Sequence, residues 1–309
     1  MDRRRALIVD AFTDEPLTGN PAGVVPGADG LDADRMAAIA SELGASETAF
    51  VVETGSADRR LRFFTPTGEI DLCGHATVAA HAHLLDAGVI APGDHTVETG
   101  AGVLDVTVEA GETNEGTETG EAAGTVWLTM DAPTVREVDV EASRVADALG
   151  IDPAAIVTGE LPIAVASTGL PYLIVPVDYL STLGGVAPDP DAVEALAGEV
   201  DATGAYAFTF DTLQGESTLH GRMFAPGEGI PEDPVTGTAS GAAGAYLRHV
   251  GAFDAMPGEM VFEQGHYVDR PGRVRVRVGE EVRVGGTAAT SLDGEIRVPE
   301  SDDDGIIEA

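Results

Sequence analysis

Cys73-Gly74-His75-Ala76-Thr77-Val78-Ala79-Ala80 opens one glycine-started, alanine-rich helix, and Thr236-Gly237-Thr238-Ala239-Ser240-Gly241-Ala242-Ala243 opens a second. Working outward, Thr18-Gly19-Asn20-Pro21 in the first half is answered by Thr168-Gly169-Leu170-Pro171 in the second. Arg62-Phe63-Phe64-Thr65-Pro66 is answered by Arg222-Met223-Phe224-Ala225-Pro226. The three matches keep their order, 168 against 18, 222 against 62 and 237 against 74, with small insertions between them. The chain is therefore an internal repeat. Two related halves place two related helix N-termini in one molecule, and a cleft between them has backbone donors on both sides.

At 309 residues the chain has room for two domains, each with its own core. Its 43% hydrophobic content fits a folded globular protein, and no apolar run reaches the roughly 18–20 residues of a membrane span. The start, Met1-Asp2-Arg3-Arg4-Arg5, leads into a strand-like Ala6-Leu7-Ile8-Val9 and lacks a signal-peptide pattern. The single cysteine, Cys73, excludes an internal disulfide framework and suits a reducing cytoplasm. Net charge is −36, and all 17 basic residues are arginine. The charge reads either as an acidic surface for a basic partner or as halophile-type salt adaptation, in which concentrated salt screens the self-repulsion. It argues against nucleic-acid binding, which needs basic faces. The absence of lysine excludes Schiff-base chemistry.

Along the chain, strand patterns at 5–12, 22–25, 48–52 and 60–64 alternate with two helices. One is capped by Asp32 or Asp34, has apolar spacing at Met36, Ile39, Ala40 and Leu43, and stops at Gly44; the other runs from Gly74 to Leu85. Strands follow at 95–98 and 102–109. The acidic, low-complexity stretch from Gly111 to Glu121 reads as a solvated linker. The second half repeats the mixture: strands at 125–130, 163–166, 171–177, 205–210 and 219–224, and helices near 141–149, 190–198 and 237–249. Strands at 259–263, 273–278, 281–284 and 294–298 follow, with an acidic tail from Ser301. Many strands around few helices predict an α+β fold.

Glu47 lies at the mouth of the apolar strand Ala49-Phe50-Val51-Val52. A carboxylate there can be desolvated and its pKa raised, as a general acid/base requires, or it can be a plain solvated strand start. His75 follows the first repeated glycine as a further hydrogen-bonding group. Asp233 stands just before the second helix and can orient an ammonium, orient the histidine, or serve as a helix cap. The repeated glycines either bind an anion at the helix starts or permit close packing. His81 and His83 fall on different helix faces. With one cysteine and no His-x-x-x-His, no metal site is expected. No dinucleotide fingerprint, Walker A sequence or nucleophile elbow occurs, so no cofactor is expected.

Through Val9-Asp10-Ala11-Phe12, Thr18-Gly19-Asn20-Pro21, Ser46-Glu47-Thr48-Ala49-Phe50-Val51, Arg62-Phe63-Phe64-Thr65-Pro66, Cys73-Gly74-His75-Ala76-Thr77 and Glu232-Asp233-Pro234-Val235-Thr236-Gly237-Thr238-Ala239, the chain resembles the PhzF family of phenazine-biosynthesis-like isomerases. That family sits within the diaminopimelate epimerase superfamily. The resemblance is spread in order over nearly the whole chain. It implies two pseudo-symmetric α+β domains, each a barrel-like sheet around a central helix, at 1–120 and 121–284, with the last strand near 285–298 crossing back to the first. It also implies a cleft site, a cofactor-free reaction and a homodimer. It carries catalytic roles onto Glu47, His75 and Asp233. Substrate-binding roles fall on Asn20, Ser46, Cys73, Gly74, Gly237 and Thr238.

The superfamily's racemases place a cysteine before each repeated glycine. Here the second is Thr236, whose hydroxyl is too weak an acid or base to replace a thiolate. Two-cysteine racemisation is therefore not expected. The leading expectation is a cytoplasmic isomerase in which Glu47 moves a proton within a small carboxylate-bearing substrate, without nucleic-acid or membrane partners. The alternatives are a one-base epimerase or racemase using Glu47 with Cys73, and a non-catalytic ligand-binding protein of the same fold.

Overall fold

The computed structural model describes residues 2–111, 123–159 and 161–299. Most of the acidic stretch read as a linker, and the tail from Ser301, lie outside the described residues. The first half comprises β1 (Asp2–Ala11), β2 (Asn20–Val25), α1 (Ala33–Leu43), β3 (Thr48–Val52), β4 (Arg59–Thr65) and β5 (Gly68–Ile70). It continues with α2 (Gly74–Asp86), β6 (Gly93–Thr99), β7 (Gly102–Glu109) and β8 (Thr125–Thr129). The second comprises β9 (Thr134–Glu137), α3 (Ala142–Leu149), β10 (Ala164–Ser167), β11 (Pro171–Pro176), α4 (Leu180–Gly185), α5 (Pro190–Glu199), β12 (Gly204–Thr209) and β13 (Leu219–Ala225). It ends with β14 (Ile230–Asp233), α6 (Gly237–His249), β15 (Met260–Gln264), β16 (Gly272–Val278), β17 (Val282–Gly286) and β18 (Ala288–Val298).

The repeat in the sequence is a repeat in pairing. In the first half the strands run β18-β1-β2-β3-β4-β6-β7-β8, with β2–β3 and β4–β6 parallel and the other pairs antiparallel. In the second they run β9-β10-β11-β12-β13-β15-β16-β17, with β11–β12 and β13–β15 parallel in the same places. The last strands of the two runs, β8 and β17, pair antiparallel with each other. The two sheets are thus one continuous network rather than two separately closed barrels.

Each sheet wraps one helix. α2 packs on β1, β2, β3, β8 and β18, and α6 on β9, β10, β11, β16 and β17. Ala76 through Leu84 of α2 are all buried, as are Ala239 through Leu247 of α6, which is why both helices are alanine-rich on every face. His81 and His83, expected on different faces, are therefore both inside. Strand alternation divides the core into layers. Tyr172, Ile174, Tyr206 and Phe208 share the core that includes α6, whereas Leu173, Val175, Ala205 and Ala207 share one with Val145, Leu149, Val193 and Leu196 of α3 and α5. In the first half α1 plays the outer role, with Met36 and Ile39 packed beside Phe50 and Phe64.

α6 is held so close that side chains at its glycines would collide with the sheet. A Cβ on Gly244 would lie 2.7 Å from Cγ1 of the buried Val276. Alanine would gain about 0.5–1 kcal/mol in helix propensity but overpack this contact at about 1–3 kcal/mol, so packing wins. Gly244→Ala is expected to lower stability by about 1–2 kcal/mol in urea unfolding; an increase would place the helix farther from β16.

Several elements differ from the sequence expectation. β1 starts at Asp2 and ends at Ala11, and Phe12 leaves the strand at φ 65°. β18 starts at Ala288 rather than 294 because it pairs with β1 over its full length, although much of its stretch faces solvent and carries no apolar alternation. β5, β9, α4 and β14 carry no sequence pattern long enough to announce them; they have only 3, 4, 6 and 4 residues.

Candidate active site

The two helix starts are built alike. Cys73 and Thr236 occupy the N-cap positions with extended backbone, are both buried, and neither closes its helix with a side-chain hydrogen bond. One turn on, the Thr77 hydroxyl donates to the Cys73 carbonyl at 2.7 Å and the Ser240 hydroxyl to the Thr236 carbonyl at 2.8 Å. The first-turn N–H groups of a helix have no intrahelical acceptors. Here the cap side chains are turned to other work.

In the first half that work is a three-residue cluster. Glu47 precedes β3, whose parallel partner β2 fixes the strand mouth through a Gly23 N–H to Glu47 carbonyl bond of 2.9 Å. Its carboxylate Oε2 lies 3.3 Å from His75 Nε2. Cys73 Sγ lies 3.4 Å from Nδ1 of the same ring. The Ser46 hydroxyl also acts to lower the Glu47 pKa. Gly74 stands between the thiol and the imidazole at the first position of α2.

In the second half the corresponding cap serves Asp233. The Thr236 hydroxyl donates to one carboxylate oxygen, and Asn20 Nδ2, from β2 of the first half, donates to the other at 3.0 Å. Asn20 also reaches the Val235 carbonyl at 2.8 Å. The Asn20–Asp233 bond joins the two halves, and the charges of His75 and Glu47 both act on Asp233. Gly237 starts α6 with Phe12 beside it: a Cβ there would lie 3.1 Å from Phe12 Cζ. The Thr238 hydroxyl is 2.8 Å from the hydroxyl of buried Tyr172, and its carbonyl accepts from Thr168.

Burial and charge oppose each other throughout. For Glu47, burial pushes the pKa up, but hydrogen bonding from His75, its charge and the Ser46 hydroxyl outweigh it and hold the group below its ordinary 4.5. The raised value that desolvation alone would produce, one of the two readings open from sequence, is offset by this cation. For His75, burial acts downward, yet the Cys73 sulfur and Glu47 carboxylate raise it well above 6.5. Asp233 is raised by burial, against its hydrogen bonds from Thr236 and Asn20 and the charge of His75. The signs define a window. The Glu47 contribution to stability is complete above pH 4.5 and lost as pH falls through its lowered value; the His75 contribution is complete below 6.5 and lost as pH rises through its raised value.

Buried His81 in the same helix, bonded through Nδ1 to the Thr77 carbonyl, is pushed down to about 4 by desolvation. Ring-carbon NMR titration is expected to find the His75 midpoint above 6.5 and the His81 midpoint far below it. A His75 midpoint below 6.5 would mean the carboxylate contact is not formed.

The PhzC-PhzF family, described as phenazine biosynthesis-like protein, matches residues 9–294. The chain belongs to this family. It is 36% identical over 300 residues to the uncharacterized isomerase YfhB of Bacillus subtilis, covering 94% of this chain and 98% of that one. The crystal structure of a PhzF-family phenazine biosynthesis protein from Bacillus anthracis superposes with a TM-score of 0.86 at 32% identity, covering 96% of this chain and all of the other. At 15% identity and a TM-score of 0.54, a hydroxyproline epimerase from Agrobacterium vitis shares the fold over 96% of this chain and 91% of its own. The PhzF family and its relatives make the chain an isomerase of the epimerase-like fold.

In this PhzF-family chain the structure adds residues that the sequence did not single out. Gln264, at the end of β15 and buried, donates to the Asp233 carbonyl at 2.7 Å and accepts from the Thr236 N–H at 3.3 Å. Arg270 donates to the Gly19 and Thr18 carbonyls and pairs at 2.7 Å with buried Asp10, tying the loop before Asn20 to the loop after Gln264. The Arg270 contacts join residues about 250 positions apart, and no local pattern announces them.

Proposed function

We propose that this chain moves a proton within a small carboxylate-bearing substrate, without a cofactor, with Glu47 as the general acid/base. The observation that carries the reading is the contact of Glu47 with His75 at the start of α2, whose charges act on Asp233 of the other half. The substrate carboxylate takes the uncapped N-terminal turns at Gly74 and Gly237, where peptide dipoles favour an anion, with the Thr238 hydroxyl beside it. Glu47 is ionised before substrate enters and so is ready to accept a proton. Substrate that draws His75 away leaves burial as the dominant influence on Glu47, raising its pKa as the proton arrives. Proton uptake and proton return then use one group. His75 supplies positive charge where the substrate's charge develops, and Asp233, held by Asn20 and Thr236, orients a substrate donor.

Small carboxylates incubated with the protein in D2O and followed by proton NMR test the reading. The substrate converts to an isomer with wild-type protein and not with Glu47→Gln. A conversion that survives in Glu47→Gln overturns the assignment.

A second reading has an observation of its own. Cys73 Sγ lies within 3.4 Å of the His75 ring, a partner that favours thiolate chemistry. An epimerase using Glu47 with Cys73 would exchange the substrate hydrogen with solvent and invert the centre. Thr236 in place of a second thiol excludes only the two-cysteine route; retention or loss of the substrate hydrogen in D2O separates these two readings. The proposal extends to a homodimer in the cytoplasm with salt-adapted acidic surface, for which sedimentation at low and high salt is the check. It also extends to domains at 1–120 and 121–284, supported by β18 returning to pair with β1.

A further inference from the structure

The Glu47–Cys73–His75 cluster has a use beyond proton transfer. One oxygen, one sulfur and one nitrogen, a single donor from each residue, lie within 4.8 Å of one another. On a tetrahedral zinc ion, with bonds of about 2.0–2.3 Å, donor atoms sit roughly 3.3–3.6 Å apart. His75 Nε2 is already 3.3 Å from Glu47 Oε2 and 3.9 Å from Cys73 Sγ. Closing on an ion asks only for small side-chain movements. The donor set is mixed: a thiolate and an imidazole select a thiophilic transition metal, and the carboxylate completes a charge of −2 against a divalent ion.

Cys73 is the N-cap of α2 and His75 sits in its first turn, so two of the three donors are fixed to one rigid element, and the third stands at a strand mouth. Three protein donors leave the fourth position of a tetrahedral ion to solvent or a ligand. We propose that Glu47, Cys73 and His75 form an inhibitory site for a thiophilic divalent cation, zinc above all. The cation occupies the groups that would otherwise handle the substrate proton. This is not a resident cofactor, since Glu47 and His75 must be free for the reaction. That occupancy blocks turnover rests on the proposed function; the binding itself does not.

The acidic surface offers oxygen sites to any divalent ion, so the measurement is made on chelator-washed protein with excess Mg2+, which fills oxygen sites without competing for sulfur. Calorimetric titration with Zn2+ is expected to show one ion per chain at micromolar concentration or below. Co2+ in its place is expected to give the near-ultraviolet charge-transfer band of a cobalt–thiolate bond. Cys73→Ser removes the band and weakens zinc by at least about tenfold, a loss that even outer-shell partners produce. Glu47→Gln, which keeps the side chain's shape, weakens zinc while retaining the band and guards against misfolding of the cysteine variant. Zinc bound equally well by Cys73→Ser, or cobalt bound without the band, overturns the site. Cysteine-dependent zinc binding that leaves isomerisation untouched would uphold the site and overturn the catalytic reading instead.

Discussion

Glu47→Gln is expected to slow isomerisation about 10²- to 10⁴-fold, the range supplied by a positioned general acid/base, or about 3–5 kcal/mol on the barrier. The substitution is nearly isosteric. The amide that replaces the carboxylate would keep its place beside His75 Nε2, now 3.3 Å from Oε2, but it cannot hold a transferable proton. The cost to folding is small by comparison: the side chains are only 14% and 18% exposed, but glutamine keeps a hydrogen-bonding oxygen beside His75 and leaves no buried charge of its own. Removing the negative charge also withdraws one of the two partners that raise His75, so its NMR midpoint should fall toward 6.5. Turnover and midpoint are thus predicted to move together in one variant whose melting curve stays close to wild type. Unchanged turnover with a shifted His75 midpoint would show that the contact is real and that catalysis lies elsewhere.

Arg222→Met is expected to be among the most destabilising single substitutions, at about 3–5 kcal/mol, whereas Arg62→Met at the matching repeat position costs under about 1 kcal/mol. Both arginines make the same fork. Arg222 meets Glu232 at 2.8 and 2.7 Å, and Arg62 meets Glu69 at 2.6 and 2.7 Å. Both lie over a phenylalanine two residues on, Phe224 at 5.0 Å and Phe64 at 5.2 Å.

The surroundings decide the difference. The side chains of Arg222 and Glu232 are 7% and 12% exposed, against 21% and 40% for Arg62 and Glu69. Arg222 also donates to the Leu183 and Val186 carbonyls at the end of α4 and packs on Tyr267. Methionine in its place strands a buried carboxylate and two carbonyls, and removing one partner of a buried pair is costly for that reason. Glu232 adjoins Asp233, so the loss should reach the site and lower turnover as well. Urea unfolding of the two variants, compared at low and at molar salt, checks this. The Arg222 gap should persist in salt, since a buried pair is poorly screened. Equal losses at the two positions would mean that the halves are energetically as well as topologically alike.

These paired arginines also show why the fold was legible in the sequence. A repeat is visible when the same residue does the same job twice, as Arg62 and Arg222 do, or Thr77 and Ser240 at the helix starts. Gly44 announced its helix end because its φ of 69° is one that glycine adopts without strain. β18 was legible only in its last residues, since its place is set by pairing with β1 nearly 290 positions away.

The site divides in the same way. Glu47, His75, Cys73 and Asp233 stand beside strand mouths and helix starts that sequence can locate. The sign of the Glu47 shift depends on a histidine 28 positions later whose approach no local pattern encodes. Gln264 and Tyr172 became visible only once β15 had met the turn from Asp233 to Thr236 and β11 had packed on α6.

The central claim is that one group, Glu47, both removes and returns the proton. Turnover of the substrate in D2O, stopped well before equilibrium and read by NMR and mass spectrometry, tests it most directly. A single shuttling carboxylate predicts product that keeps much of the substrate's own hydrogen at the new position. Product fully deuterated at the reacting carbon from the first turnover, with inversion of that centre, would contradict it and assign the chemistry to two groups on opposite faces.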